Sequence, residues 1–181
     1  MKAWIVLASL CFSALSQASS FEQKVREAQE AMGKPLQHVD VQLLSGEPVS
    51  MSSLEGKETV IYFFASWCSP CYGALKNIES VRQQQPLAVN LVAMALDEDA
   101  EAVSLMLKQT GYTGVVWQAV DGVQPLHQRA FANGVKALPY LIKVDADGLL
   151  AENNYNIKSV AQWKRVLVDN QSLQDAMREE N

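Results

Sequence analysis

The sequence predicts an α/β sandwich with a mixed central sheet. Three observations carry that prediction. Apolar strand-like runs at 59–64, 89–95 and 115–120 are separated by segments with helical spacing. Two further runs, 140–144 and 149–153, flank the Asp145-Ala146-Asp147-Gly148 turn and so pair as a hairpin. A final helix-like segment follows them.

Taken from the start, Lys2 precedes an apolar stretch from Ala3 to Leu15, then Ser16-Gln17-Ala18. Small residues stand at the two positions a signal peptidase reads. A membrane anchor would need roughly 20 apolar residues. The stretch is shorter, so residues 1–18 are expected to be a cleaved signal peptide and the protein periplasmic. Cys11 lies inside this segment and would leave with it, so two of the three cysteines remain.

Residues 19–33 form a leading helical extension, with Phe21, Val25, Ala28 and Met32 on one face and Gly33 and Pro35 ending it. The main domain is expected over 34–169. Val39, Val41 and Leu43, the Ser45-Gly46-Glu47 turn, then Val49 and Met51 read as a small hairpin. A buried strand follows from Thr59 to Phe64. Pro70 suits the first turn of a helix that runs through Leu75 and Ile78 to Pro86. After the strand from Val89 to Ala95, the acidic residues Asp97, Glu98, Asp99 and Glu101 read as capping charges for a helix through Val103 and Met106. A short helix is expected over Pro125 to Ala132. Ser159 caps a last helix that turns Val160, Trp163, Val166 and Leu167 inward. Residues 170–181 are a polar tail expected to fray or extend that helix.

Composition fits one soluble globular domain: 49% of residues are hydrophobic and 19% charged. Fifteen basic against 20 acidic residues give a net charge of -5, without the basic patches that nucleic acid would call for.

The chemistry lies in Phe64-Ala65-Ser66-Trp67-Cys68-Ser69-Pro70-Cys71. Two thiols one helical turn apart can open and close a disulfide with little backbone movement. As a brace the pair would be poor, since a four-residue loop gains only about 2 kcal/mol from cross-linking, against about 3 for fifteen residues. A redox-active pair is therefore expected. Cys68, at the helix N-terminus, meets roughly half a positive charge and unpaired N–H groups, which favour thiolate over thiol. It is the expected accessible nucleophile. Cys71, one turn further in, is expected to be buried and to resolve the mixed disulfide. Pro70 shapes the loop. Trp67 serves either as an apolar rim for a partner chain or as packing on the fold.

The order strand, WCxxC, helix, strand, helix, then Leu-Pro before a hairpin resembles the thioredoxin fold. More narrowly, the signal segment, the Gly-Lys before the strand, FFASWCSPC, LDED and ALPYLIKVDADG resemble the TlpA-like (DsbE or ResA type) secreted thiol-disulfide oxidoreductases over roughly residues 33–168. The resemblance implies a thioredoxin-like sandwich with helices on both faces and an N-terminal hairpin extension. It also implies a cis Leu138-Pro139 bond beside Cys68, leaving the backbone of Leu138 free to pair with a bound peptide; the other reading is an ordinary turn proline before a strand. Protein disulfides or dithiols are the implied substrates, and a membrane thiol-disulfide donor the implied source of electrons. Reduction is the favoured direction, with oxidase or isomerase activity the alternative. Two positions depart from the pattern: Tyr62 stands where thioredoxins have a buried aspartate, and Ala74 where many TlpA-like proteins have a glutamate. Lys76 also replaces a common helix proline.

A rival reading is a copper carrier, since thiolates bind soft metals. It would need a third ligand, for which His38 and His127 are the candidates, and each reads better as an ordinary histidine. No cofactor or metal is expected, and a monomer is.

Overall fold

The computed structural model describes residues 22–23, 25–26, 28–123 and 130–178. The signal segment with Cys11, His127 and most of the short helix expected over Pro125 to Ala132 lie outside the described residues. The elements are β1 (Val41–Gln42), β2 (Pro48–Val49), β3 (Thr59–Phe64), α1 (Ser69–Gln84), β4 (Asn90–Ala95), α2 (Ala100–Thr110), β5 (Val116–Ala119), β6 (Tyr140–Val144), β7 (Leu150–Asn154), α3 (Val160–Leu167) and α4 (Leu173–Ala176).

They form one seven-stranded sheet in the order β2-β1-β5-β4-β3-β6-β7. The β3–β4 and β4–β5 pairs are parallel, while β6 and β7 join antiparallel beyond β3. The sheet is therefore mixed, as the helix-linked runs and the closing hairpin require. On the other side β1 and β2 make the expected small hairpin, closed by Leu43 N–H to the carbonyl of Glu47 at 2.8 Å.

Every residue of β3 is buried. Covered on both faces, the strand is continuously apolar rather than alternating. Period-two geometry sends Tyr62 and Phe64 to one face, where their rings stack, and Phe63 to the other. Trp163 of α3 meets Tyr62 edge-on at 5.5 Å, while Phe131 and Tyr140 pack on Phe63 at 4.9 and 5.6 Å. The central strand thus holds two aromatic layers together.

The leading segment is tied to β7. Gly33 N–H donates to the Leu150 carbonyl at 2.8 Å, and Leu150 N–H to the Lys34 carbonyl at 3.0 Å. Ser159 and Gln162 form a full capping box on α3. Beyond it the chain does not prolong α3. Leu173 and Ala176 of α4 are buried, and Leu173 N–H donates to the carboxylate of Glu152 on β7 at 2.6 Å. Half-buried Met177 also packs against the core, so three apolar side chains dock an otherwise polar tail.

Candidate active site

Parallel strands β3 and β4 end together, with Phe64 opposite Ala95, and antiparallel β6 begins at the same end, with Tyr140 opposite Phe63. Continuing that register by one residue puts Pro139 opposite Phe64. The loop carrying the dithiol and the segment carrying Pro139 therefore leave the same end of the sheet, side by side.

From Phe64 the chain turns through Ala65 to Cys68, whose N–H donates to the Ala65 carbonyl at 3.0 Å. Cys68 is the N-cap of α1, Ser69 and Pro70 form its first turn, and Cys71 N–H donates back to the Cys68 carbonyl at 3.0 Å. Cys68 supplies no side-chain cap. Its sulfur is joined to that of Cys71 at 2.03 Å.

The two cysteines differ in burial. Cys71 is sealed at 0% exposure and Cys68 keeps 5%. Cys68 is thus far less open than its sequence position suggests. The reason is the closed disulfide, which ties its sulfur to a partner inside the fold. Its neighbours Ser69 and Pro70 are exposed, and Trp67 is 66% exposed, so the indole projects to solvent instead of packing. The Leu138-Pro139 bond is cis, and both residues are half-buried.

The segment leading to Pro139 is held from below. Tyr140 donates its hydroxyl to the Phe131 carbonyl at 2.5 Å, and Asn153 its amide to the Ala132 carbonyl at 3.2 Å. Tyr155 donates to the side-chain oxygen of Asn133 at 2.8 Å, and the Asn133 amide donates to the Ala137 carbonyl at 3.1 Å. Burial pushes the Tyr140 and Tyr155 phenols up, so both remain neutral donors.

Tyr62 and Ala74 are both buried. Burial likewise raises the Tyr62 phenol, whose hydroxyl has no hydrogen-bond partner among the described residues. A different carboxylate reaches the loop. Asp97, immediately past Leu96 at the end of β4, accepts Ser66 N–H at 2.8 Å and the Ser66 hydroxyl at 2.5 Å. Of the acidic run expected at the start of α2, Asp99 caps the helix, accepting Glu101 and Ala102 N–H at 2.9 and 3.2 Å, and Glu101 stands in its first turn, whereas Asp97 turns to the loop instead. The signal was present in the parallel register, because extending Phe64 opposite Ala95 by two residues sets Ser66 against Asp97.

His38 is exposed and pairs with Asp40 at 3.2 Å. Among the described residues, no three His, Cys, Asp or Glu side chains come together as a metal site would need.

Residues 31–167 match the Redoxin family. The chain belongs to that family. This redoxin is 31% identical over 109 residues to tryparedoxin of Trypanosoma brucei brucei, a stretch covering 57% of this chain and 70% of that protein. It is 28% identical over 122 residues to the thiol-disulfide oxidoreductase ResA of Bacillus anthracis, covering 67% of this chain and 68% of ResA. In fold it is similar to a secreted Mycobacterium tuberculosis disulfide oxidoreductase homologous to DsbE of E. coli. The TM-score is 0.56 and the identity 24%, over 72% of this chain and 91% of the other. The redoxin is a thioredoxin-fold thiol-disulfide oxidoreductase with a Cys68–Cys71 disulfide.

Proposed function

We propose that this redoxin works in the periplasm and reduces protein disulfides through Cys68 and Cys71. The observation that carries the reading is the asymmetry of the pair: Cys68 is the uncapped N-cap residue of α1 and keeps 5% exposure, whereas Cys71, one turn further in, keeps none.

In the reduced protein, Cys68 Sγ is favoured as thiolate by the partial positive charge of the α1 N-terminus. It attacks one sulfur of a substrate disulfide, forming a Cys68–substrate bond and breaking the substrate's own. The displaced substrate sulfur leaves as thiolate and takes up a proton. Cys71 then loses its proton and attacks Cys68 Sγ, which closes the enzyme disulfide and expels the second substrate thiol. Two electrons and two protons have passed to the substrate. A dithiol donor, for which a membrane thiol-disulfide protein is the proposed source, must return them.

In this reading exposed Trp67 and Pro70 line one side of the substrate path past Cys68, and half-buried Leu138 and Pro139 line the other. An extended substrate segment laid between them would pair with the Leu138 backbone as an added strand. The leader expected from the sequence over residues 1–18 is what supports the periplasmic reading.

Equilibration with glutathione buffers tests the direction. A potential near that of thioredoxin, about -270 mV, is expected, and one near about -120 mV would reverse the assignment to an oxidase. In the same assay Cys71→Ser should accumulate the mixed disulfide, which Cys68→Ser cannot form.

A further inference from the structure

Tyr62 and Ala74 stand where relatives have carboxylates, and the structure brings a different carboxylate, Asp97, to the dithiol loop. We propose that Asp97 is a positioning residue that, through Ser66, holds the active-site loop in its disulfide-closed geometry and makes the Cys68/Cys71 couple more strongly reducing. The inference rests on the exchange chemistry proposed above.

Among the described residues both carboxylate oxygens are engaged by Ser66, one by its N–H at 2.8 Å and the other by its hydroxyl at 2.5 Å. Such a two-point clamp fixes the peptide as well as the side chain of a residue two positions before Cys68. The clamp itself is anchored. Asp97 is buried, and its carbonyl accepts the Gln118 amide at 2.7 Å. Gln118 in turn accepts the Gln42 amide at 3.1 Å, so the support runs back through β5 to β1. A carboxylate mounted on three strands does not follow the loop; the loop conforms to it.

Two consequences push the equilibrium the same way. The clamp is made with the disulfide closed, so it favours the loop geometry of the oxidised form. The carboxylate's charge also opposes the reduced form. Among the described residues no basic side chain pairs with Asp97. Two Cα steps of about 3.8 Å keep the Cα of Ser66 within about 8 Å of that of Cys68; the carboxylate stands one hydrogen bond, 2.8 Å, beyond Ser66 N–H, and its burial limits screening by salt. A thiolate appearing at Cys68 therefore meets an uncompensated anion. Stabilising the disulfide relative to the dithiol is what makes a couple a better reductant.

The test compares wild type, Asp97→Asn and Ser66→Ala at one fixed glutathione poise, measuring the ratio of reduced to oxidised protein. Asp97→Asn removes the charge and one acceptor while keeping the shape. It should raise that ratio about tenfold, equivalent to about 30 mV for two electrons. Ser66→Ala keeps the charge and loses one bond, so its rise should be smaller, about threefold. Ratios equal to wild type in both variants, or a shift toward the oxidised form, overturn the proposal. If Asp97→Asn does not fold, Ser66→Ala decides alone by the same criterion. A purely structural clamp would lower the melting temperature without moving the ratio. Wild type that fails to exchange with glutathione defeats the proposed function itself, whereas exchange with unchanged variants defeats only the role of Asp97.

Discussion

Helices α1 and α2 leave the same sheet but begin differently. At α2, Asp99 satisfies two of the free N–H groups of the first turn; at α1, the residue in the same place is Cys68, and its side chain satisfies none. A capped start contributes stability, commonly about 1 kcal/mol. An uncapped start forgoes it and leaves the partial positive charge of the helix N-terminus for a sulfur anion. The helix that does chemistry must then be held elsewhere. On its flank, Glu79 is buried and accepts Thr113 N–H at 3.1 Å, the Thr113 hydroxyl at 2.8 Å and the Arg82 guanidinium, which binds α1 to the α2–β5 connection.

The largest effect that would sharpen this contrast belongs to Cys68. Cys68→Ser should abolish disulfide exchange in an insulin-reduction assay while leaving the fold intact by circular dichroism. Residual exchange carried by Cys71 would break the contrast.

Next is the flank of α1. Burial opposes ionisation of Glu79, but the Thr113 and Arg82 contacts outweigh it and hold its carboxyl below the ordinary value of 4.5. A depressed carboxyl stabilises the fold above its unfolded value and loses that contribution as pH falls through its folded value. Glu79→Gln should therefore lower stability at pH 7 by about 2 kcal/mol, by the usual worth of hydrogen bonds to a charged group. Urea midpoints measured at pH 7 and again well below the carboxylate range should converge with wild type in acid.

Smaller again is the α2 cap. Asp99→Ala should cost about 1 kcal/mol in denaturant melts with no change in exchange rate. Smallest is Tyr62→Phe, which deletes a buried hydroxyl without a partner and should stabilise by about 0.5 kcal/mol, since nothing is left unpaired by its removal. A loss of exchange rate in Tyr62→Phe would assign that hydroxyl a role the structure does not give it.

Much of this was legible in the residues. Local signals carried the elements: continuous apolar residues marked Thr59–Phe64, Ser159 with Gln162 marked the start of α3, and Pro70 the first turn of α1. Cys68 and Cys71 were readable because their spacing in sequence is also their spacing in space. What escaped depends on contacts between strands. Asp97 and Ser66 lie 31 residues apart and meet only through the β3–β4 register, so a run of acids beside a helix start looked uniformly like capping. Burial of Cys68 depends on how its loop packs on the fold, which its place in the sequence does not express. The docked Leu173 and Ala176 were hidden by the polarity around them.

The account's central claim is that the two thiols are unequal, with Cys68 the acidic and reactive one. The direct measurement is alkylation of the reduced protein by iodoacetamide across pH, with each cysteine followed separately by mass spectrometry. Cys68 should be modified with an apparent pKa below the free-thiol value of about 8.5, while Cys71 stays unmodified through that range. Cys71 reacting first, or Cys68 titrating at or above the free-thiol value, would contradict it.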